Sequence, residues 1–297
     1  MKTKLQSNLS MKTKLQSLVM RRLAVGALLL AAPAFSLHAD VYSDKVDAFN
    51  PDPQYYLRLD ETPPTDGQTA VNQGAVLAPD AFYQSIGGST FATTGPTGGA
   101  IPGNAGITTN GWAVRIPDST LAAGTTPFSF NLFANPTSFA AQDFGTLLGY
   151  GAAAGSSMLL TEDGVGGTGR LLFGRLAQNV FTSNGSMTAG QWNAVGLTYN
   201  GSDTIKLYLN GILDTTYVDN AIAGFGNQFA VLGAYFGDGS QRFVGGLDEF
   251  TYFNGQALSD SQMVDLQIVP EPGTYALLGL SAGAFIFLRR KRSTAQV

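Results

Sequence analysis

The sequence contains no cysteine and a single histidine, His38. The absence of cysteine excludes disulfide bonds, thiolate metal sites and cysteine nucleophiles. His38 lies at the end of a segment that we expect to be removed, so the mature chain is expected to have no histidine. Serine–histidine catalysis and imidazole metal sites are then excluded, and the fold has to depend on packing.

Basic residues are scarce in the central part of the chain. Residues 40–269 carry seven Lys or Arg against 20 Asp or Glu, hence a net charge of −13. Residues 1–39, by contrast, carry six basic residues and no acidic one. A nucleic acid partner is excluded, because binding to phosphates requires a basic surface. The basic residues at the two ends instead indicate targeting segments.

The N-terminal segment has the three parts of a secretory signal peptide. Four basic residues precede an uncharged run over residues 23–37, and Ala39 supplies a small residue at a cleavage point. We therefore predict a signal peptide over residues 1–39, with processing after Ala34 as an alternative.

The sequence offers two possible start sites for translation. The heptapeptide MKTKLQS occurs twice, at residues 1–7 and 11–17, which makes the basic lead unusually long. Translation can begin at Met1 or at Met11, and the repeat is too short to be a structural unit.

A second three-part segment closes the sequence, over residues 269–297. Its first part is a proline-rich motif made of Val269, Pro270, Glu271 and Pro272. Its last part is a basic cluster made of Arg289, Arg290, Lys291 and Arg292. The prolines prevent a helix from continuing through the motif, which is expected to be an extended handle outside the membrane. Residues 274–288 between the two parts are predicted to form a transmembrane helix whose basic end stays cytoplasmic.

This predicted span is short. The 14 residues from 275 to 288 reach about 21 Å at 1.5 Å per residue, less than the roughly 30 Å of a hydrocarbon core. Spanning requires residues 273 and 274 as well, together with snorkelling of the arginines. A weak anchor suits a segment that is to be cut off.

The residues 269–292, VPEPGTYALLGLSAGAFIFLRRKR, resemble the PEP-CTERM sorting domain of exported proteins in Gram-negative bacteria that make exopolysaccharide. The motif, the apolar helix and the basic end match in order and spacing. The resemblance implies an inner-membrane intermediate, recognition and tail removal by an exosortase, and delivery to the cell surface or extracellular matrix. An ordinary C-terminal membrane anchor is the alternative, and both place the body outside the cytoplasm.

The central region has the alternation of β-strands. Apolar residues recur at every second position in two runs, at Val195, Leu197 and Tyr199 and at Ile205, Leu207 and Leu209. Each run is expected to bury one face. Asn-Gly pairs at 200–201 and 210–211 predict turns, and thus an antiparallel meander that begins at Trp192.

The end of the central region predicts one more strand and a helix. Residues 243–253 form the strand, with Gly245-Gly246 as a bulge or close-packing point. Ser259 and Gln262 form a capping box that opens a short helix over residues 260–267. Little else in the mature chain has a helical pattern, and residues 85–109 are expected to form long loops around one short strand.

Three segments together resemble the laminin-G-like or concanavalin A-like jelly-roll family. They are YYLRLDE at 55–61, the meander from 191 to 211, and GGLDEF at 245–250 with the helix start that follows. The resemblance covers residues 54–267 and implies an all-β protein, with one antiparallel jelly-roll β-sandwich over residues 40–268. Two departures are FSFNLF at 128–133, where many relatives carry a tryptophan, and the absence of the cysteine pair of some relatives.

Catalysis is not expected. Asp248 and Glu249 are adjacent, and neighbouring strand residues point to opposite faces, so they cannot flank one glycosidic bond as a hydrolase requires. The E-x-D-x-E pattern of hydrolases on this scaffold is also missing. We predict a non-catalytic module that binds glycan or matrix polymer, with a structural surface protein, or a hydrolase or lyase, as alternatives.

The candidate ligand contacts are few. A calcium ion, which takes six to eight oxygen ligands, is expected with Glu61 and Asp248 as its ligands, because the family resemblance makes a structural calcium plausible. The alternative is that both carboxylates face solvent or hydrogen-bond locally. Trp112 is the candidate stacking surface for a sugar ring, whereas Trp192 belongs to a strand that contributes to the core.

Overall fold

A computed structural model of the chain describes residues 37–50, 52–61, 65–74, 78–85, 107–109, 112–117, 121, 124–139, 145–150, 158–162, 167–175, 178–218, 230–235 and 241–268. By internal contacts the chain divides into residues 41–270 and a unit made of both ends, 1–40 with 271–297. Only residues 37–40 of the latter are described. Most of the predicted signal peptide, the sorting motif, the transmembrane helix and the basic cluster therefore lie outside the described residues.

The described residues form fifteen strands and two helices. The strands are β1 (Tyr55–Leu57), β2 (Thr69–Ala70), β3 (Ala81–Ser85), β4 (Ile107–Thr109), β5 (Trp112–Ile116), β6 (Phe128–Pro136), β7 (Thr146–Tyr150), β8 (Met158–Glu162), β9 (Arg170–Arg175), β10 (Gln178–Ser186), β11 (Asn193–Tyr199), β12 (Thr204–Leu209), β13 (Ile212–Val218), β14 (Ala230–Leu232) and β15 (Gly245–Asn254). The helices are α1 (Leu37–Asp47) and α2 (Asp260–Gln267).

The strands make two sheets. Sheet A has seven strands in the order β1-β15-β6-β11-β12-β13, with β4 also beside β15. Sheet B has eight strands in the order β10-β9-β8-β7-β14-β5-β3-β2. The pairings between these strands are antiparallel. The first and last strands lie side by side in sheet A, so chain ends that are distant in sequence meet there. The predicted antiparallel jelly-roll β-sandwich is confirmed.

The core lies between the two sheets. Sheet A contributes among others Tyr55, Leu132, Val195, Leu197 and Leu207, and sheet B contributes among others Val114, Leu148, Phe173 and Leu232. Burial of these apolar side chains is the main stabilising term of the fold, since the chain has no disulfide.

A second apolar cluster covers the outer face of sheet A. It joins Tyr42 and Val46 of α1, Met263 and Leu266 of α2, and Phe133, Tyr208 and Phe253 of the strands. Strand β11 is consequently buried along its whole length. The prediction that this strand buries only one face was wrong, because the alternation in its sequence cannot reveal a helix packed on its other side.

The predicted meander β11–β12–β13 is confirmed. Its second turn holds Asn210 at φ 51° and Gly211 at φ 79°, the two positive angles that a tight hairpin turn requires. In its first turn, the Asn200 side-chain oxygen accepts hydrogen bonds from the N–H groups of Ser202, Asp203 and Thr204. Both Asn-Gly pairs therefore set the register of the meander.

The glycine pair in β15 marks a close approach but not the bulge. A Cβ on Gly245 would lie 2.2 Å from the carbonyl oxygen of Asn135, so only glycine fits there. The register shift against β6 falls instead between Asp248 and Thr251, where Glu249 has φ 50°. Glu249 is thus the extra residue of a β-bulge in β15. An ionisable residue is stable in this backbone conformation because neighbouring side chains hold its carboxylate, as described below.

Of the two helices, only α2 was predicted. Its capping box at Ser259 and Gln262 is present as expected. Among the α1 side chains that the structure describes, Tyr42 and Val46 are the buried apolar residues at helical spacing, too few positions for a helical pattern to stand out. None of the helices in the described ranges is long and apolar enough to cross a membrane.

Candidate functional site

The outer face of sheet B is the sheet surface on which α1 and α2 do not pack, since both helices contribute to the cluster on sheet A. Part of this face is nevertheless buried, because Ala113 and Val231 have no exposed surface. One row of paired residues crosses this sheet from β3 to β9 and includes Phe82, Arg115, Val231, Gly149 and Gly174. The strand neighbours of this row belong to the core cluster. Because side chains alternate along a strand, the row faces away from the core.

A second row of the same face contains an unusual polar atom. Gln84 of β3 pairs with Ala113 of β5, and Ala113 forms a small buried cluster with Val231 and Ala234, apart from the main core. The side-chain oxygen of Gln84 is buried and has no hydrogen-bond partner. A buried acceptor without a donor costs free energy, and a ligand hydroxyl recovers that cost only if it reaches this solvent-inaccessible oxygen.

The outer face of sheet B thus combines groups that suit a sugar. Phe82 offers a half-buried aromatic ring, Arg115 a guanidinium and Gln84 an amide. Apolar sugar faces pack on aromatic rings, and sugar hydroxyls need a few well-placed polar groups. Sequence reasoning missed this set, although the alternation of AFYQS in residues 81–85 places Phe82 and Gln84 on one side of β3.

The two tryptophans have different positions. Trp112 is the first residue of β5 and pairs with Ser85 at the end of β3, in the same sheet as Gln84. Its side chain lies outside what the structure describes, so the stacking role stays a prediction. Trp192 packs against the helix-covered cluster of sheet A.

The acidic pair of β15 is buried. Asp248 and Glu249 have no exposed surface. The Tyr56 hydroxyl donates to Glu249 Oε2 at 2.6 Å, and the Arg58 Nε lies 3.9 Å from Glu249 Oε1. Burial, and then the negative charge of Glu249, raise the pKa of Tyr56 well above its usual range. The pair is thus held inside the domain, away from any solvent-borne substrate.

Glu61 and Asp248 both lie near the hydroxyl of Tyr83. That hydroxyl donates to Glu61 Oε2, and Glu61 Oε1 accepts the N–H of Val71 at 2.8 Å. Burial first, and then the charge of Glu61 with a smaller contribution from Asp248, raise the pKa of Tyr83. Glu61 therefore contacts Tyr83 directly, and its pairing with Asp248 at a metal ion stays a prediction.

This arrangement does not fit a calcium ion as it stands. Both oxygens of Glu61 already accept hydrogen bonds, and no three acidic or metal-binding residues of the described segments converge on one point. Six to eight oxygen ligands would be required. Calcium binding by Glu61 and Asp248 stays a prediction that demands rearrangement of Glu61.

Two family models match the sequence. Residues 108–263 match the Concanavalin A-like lectin/glucanases superfamily, and residues 269–292 match the PEP-CTERM protein-sorting motif. Both matches confirm the resemblances drawn from the residues. Among curated proteins nothing matches the chain.

Solved structures show the same fold at low identity. A Trypanosoma rangeli sialidase in complex with the inhibitor DANA is 14% identical with a TM-score of 0.51, over 86% of this chain and 38% of the sialidase. Domain 4 of AbnA, an extracellular arabinanase from Geobacillus stearothermophilus in complex with arabinotriose, is 17% identical with a TM-score of 0.48, over 73% of this chain and 98% of that chain. This chain spans well under half of the sialidase, and the likeness at this identity concerns the fold alone.

Proposed function

Since the chain belongs to the concanavalin A-like lectin/glucanases superfamily and carries a PEP-CTERM protein-sorting motif directly after that domain, we propose that it is a non-catalytic glycan-binding module that an exosortase releases. The motif marks the chain as an exported surface protein. The domain then acts at the cell surface or in the extracellular matrix, with polysaccharide as its ligand and the membrane as a transient partner.

The position of the motif supports tail removal. It starts at Val269, shortly after α2 ends at Gln267, so the motif follows the last helix of the domain closely in sequence. The segment after it has the apolar run and basic end that would hold it in the membrane during recognition.

Changing Pro270, Glu271 and Pro272 to alanine is expected to block tail removal, because the extended handle and its carboxylate are lost. The intact mass of the protein from membrane and surface fractions measures this, and the variant should remain membrane-bound with its tail. Alanine at Ser293, Thr294 and Gln296, behind the basic cluster, is the matched control and should be processed normally. Normal surface release of the motif variant would contradict the sorting proposal.

The outer face of sheet B supports glycan binding. The single observation that carries it is the buried side-chain oxygen of Gln84, which has no hydrogen-bond partner. It lies on the sheet surface that no helix of the described residues covers, beside Phe82 and Arg115. The buried Asp248 and Glu249 support a role without catalysis.

Gln84→Leu and Trp112→Ala are each expected to weaken polysaccharide binding about tenfold, since a lost hydrogen bond or stacking contact costs roughly 1–1.5 kcal/mol. Affinity electrophoresis in gels that contain exopolysaccharide measures the binding. Gln191→Leu makes the same chemical change at an exposed position beside β11 and should have no effect. Failure of the wild type to bind any polysaccharide would favour a purely structural surface protein, and release of reducing ends would favour a hydrolase.

A further inference from the structure

The last turn of α2 is held from the side by α1. Lys45 Nζ donates to the main-chain oxygens of Asp265 at 2.8 Å and Ile268 at 2.9 Å, and it lies 3.2 Å from a carboxylate oxygen of Asp265. The Tyr42 hydroxyl donates to the main-chain oxygen of Leu266 at 3.1 Å. Carbonyls at a helix C-terminus lack their usual partners within the helix, and here α1 supplies donors for them.

These donors are fixed in place by packing. Tyr42 and Val46 are buried, with Met263 and Leu266 of α2 in the same apolar cluster. The Tyr42 ring meets the edge of Phe133 on sheet A at a centroid distance of 5.6 Å. The side chain of Lys45 is only 17% exposed, so its ammonium group is held between the helices rather than moving in solvent.

The contact joins the two ends of the domain that carry the targeting segments. Helix α1 starts at Leu37 and spans the predicted cleavage point after Ala39. The carbonyl of Ile268 belongs to the peptide bond that links this residue to Val269, the first residue of the sorting motif. Lys45 therefore binds the peptide group through which the chain enters the motif.

We propose that α1 is the positioning element of the sorting segment, with Lys45 as the residue that orients the entry into the motif. This inference rests on the proposed tail removal. The hydrogen bond from Lys45 fixes the last peptide group before the motif, so less chain entropy is lost when the processing enzyme binds the residues that follow. Tail removal is then efficient only after the N-terminal segment has docked on α2, so that the domain is folded before it is released.

Lys45→Met removes the donor and should slow tail removal about tenfold, which corresponds to one charge-assisted hydrogen bond at about 1.4 kcal/mol per factor of ten. Lys45→Arg keeps a donor and should restore the rate. Lys206→Met is the matched control, because Lys206 Nζ pairs with Asp260 Oδ1 at 2.6 Å at the other end of α2. That variant loses the same charge and an ion pair to the same helix, and should be processed at the wild-type rate.

The experiment follows the full-length chain in exporting cells after a metabolic pulse, with intact mass as the measure of tail loss. Near-ultraviolet circular dichroism of the purified proteins checks that each variant is folded. If Lys45→Met does not fold, Tyr42→Phe decides. It removes the hydroxyl that donates to the main-chain oxygen of Leu266 and accepts from the Asn131 side chain at 3.5 Å, and it should slow processing in the same direction.

Two results would overturn the inference: tail removal in folded Lys45→Met at or above the wild-type rate, or an equal slowing in Lys206→Met. Equal slowing would mean that the stability of α2 alone sets the rate. An uncut tail in the wild type would instead overturn the proposed tail removal, so the two failures are distinguishable.

Discussion

Replacement of Glu249 by alanine is expected to destabilise the domain by about 3–5 kcal/mol, the usual cost of removing one partner of a buried ionic pair. Glu249 is fully buried, accepts the Tyr56 hydroxyl at 2.6 Å and faces the Arg58 guanidinium at 3.9 Å. Its loss removes the buried negative charge opposite Arg58 and leaves the Tyr56 hydroxyl without this acceptor. The alanine would also keep the left-handed backbone of φ 50° at the bulge, where the carboxylate contacts no longer offset the strain.

Urea unfolding of the purified exported protein measures this effect. Glu249→Gln keeps the shape of the side chain and removes its charge, so it should lower the free energy of unfolding by less than Glu249→Ala does. The effects of Glu249→Gln and Tyr56→Phe on this free energy should be non-additive in the double variant, because the two side chains are in contact. Asp260→Asn is the control: it breaks an exposed pair with Lys206 and should cost under about 1 kcal/mol. A loss within about 1 kcal/mol for Glu249→Ala would show that the buried pair does not hold the bulge.

The domain is also expected to unfold cooperatively in alkali, because three buried phenols must stay protonated. The pKa values of Tyr42, Tyr56 and Tyr83 are raised above the ordinary 10.0 by burial first, and then by the charge of Glu249 or Glu61. Since the folded-state pKa lies above the unfolded one, their contribution is present in full below pH 10 and is lost as the pH rises beyond it. Each phenol contributes about 1.4 kcal/mol per pH unit, hence about 4 kcal/mol for the three.

If the free energy of unfolding of the domain is about 5–15 kcal/mol, it would fall to zero within about one to four pH units above 10. Tyrosinate absorbance and far-ultraviolet circular dichroism, recorded on one pH series, measure ionisation and unfolding together. The buried phenols should ionise only with loss of the fold, and Tyr83→Phe should reduce the slope by about 1.4 kcal/mol per pH unit. Ionisation of all 11 tyrosines with the circular dichroism of the folded protein unchanged would contradict this prediction.

The elements that the sequence predicted correctly are those with local causes. The hairpin at Asn210-Gly211 needs two positive φ angles, which this pair adopts readily. Helix α2 begins at a capping box whose two side chains are three residues apart. Such features depend on a few neighbouring residues, so a single sequence reveals them.

The elements that were missed depend on distant partners. Helix α1 is stabilised by burial of Tyr42 and Val46 against α2, more than 200 residues away in the chain. The bulge falls at Glu249 rather than at the glycine pair because Tyr56, on a strand 193 residues earlier, holds its carboxylate. No local pattern encodes either contact.

The residues of the candidate site likewise differ in whether a local sequence pattern or a contact with a distant residue determines their surroundings. Calcium binding by Glu61 and Asp248 stays a prediction from the family resemblance, whereas the hydrogen bonds that occupy both oxygens of Glu61 follow from Tyr83 and Val71 in the fold. Gln84 was missed because its burial without a partner is a property of the packed sheet.

The sequence by itself determined the fold class, the acidic histidine-poor body and the sorting motif, because composition, alternation and short motifs act over a few residues. Only the tertiary structure decided which sheet face α1 and α2 cover, where the bulge lies, and that Lys45 binds the peptide group that precedes the motif. In an antiparallel sandwich the first and last strands become neighbours, so groups far apart in the chain are brought together by packing, and their contacts appear only once the sheets have formed.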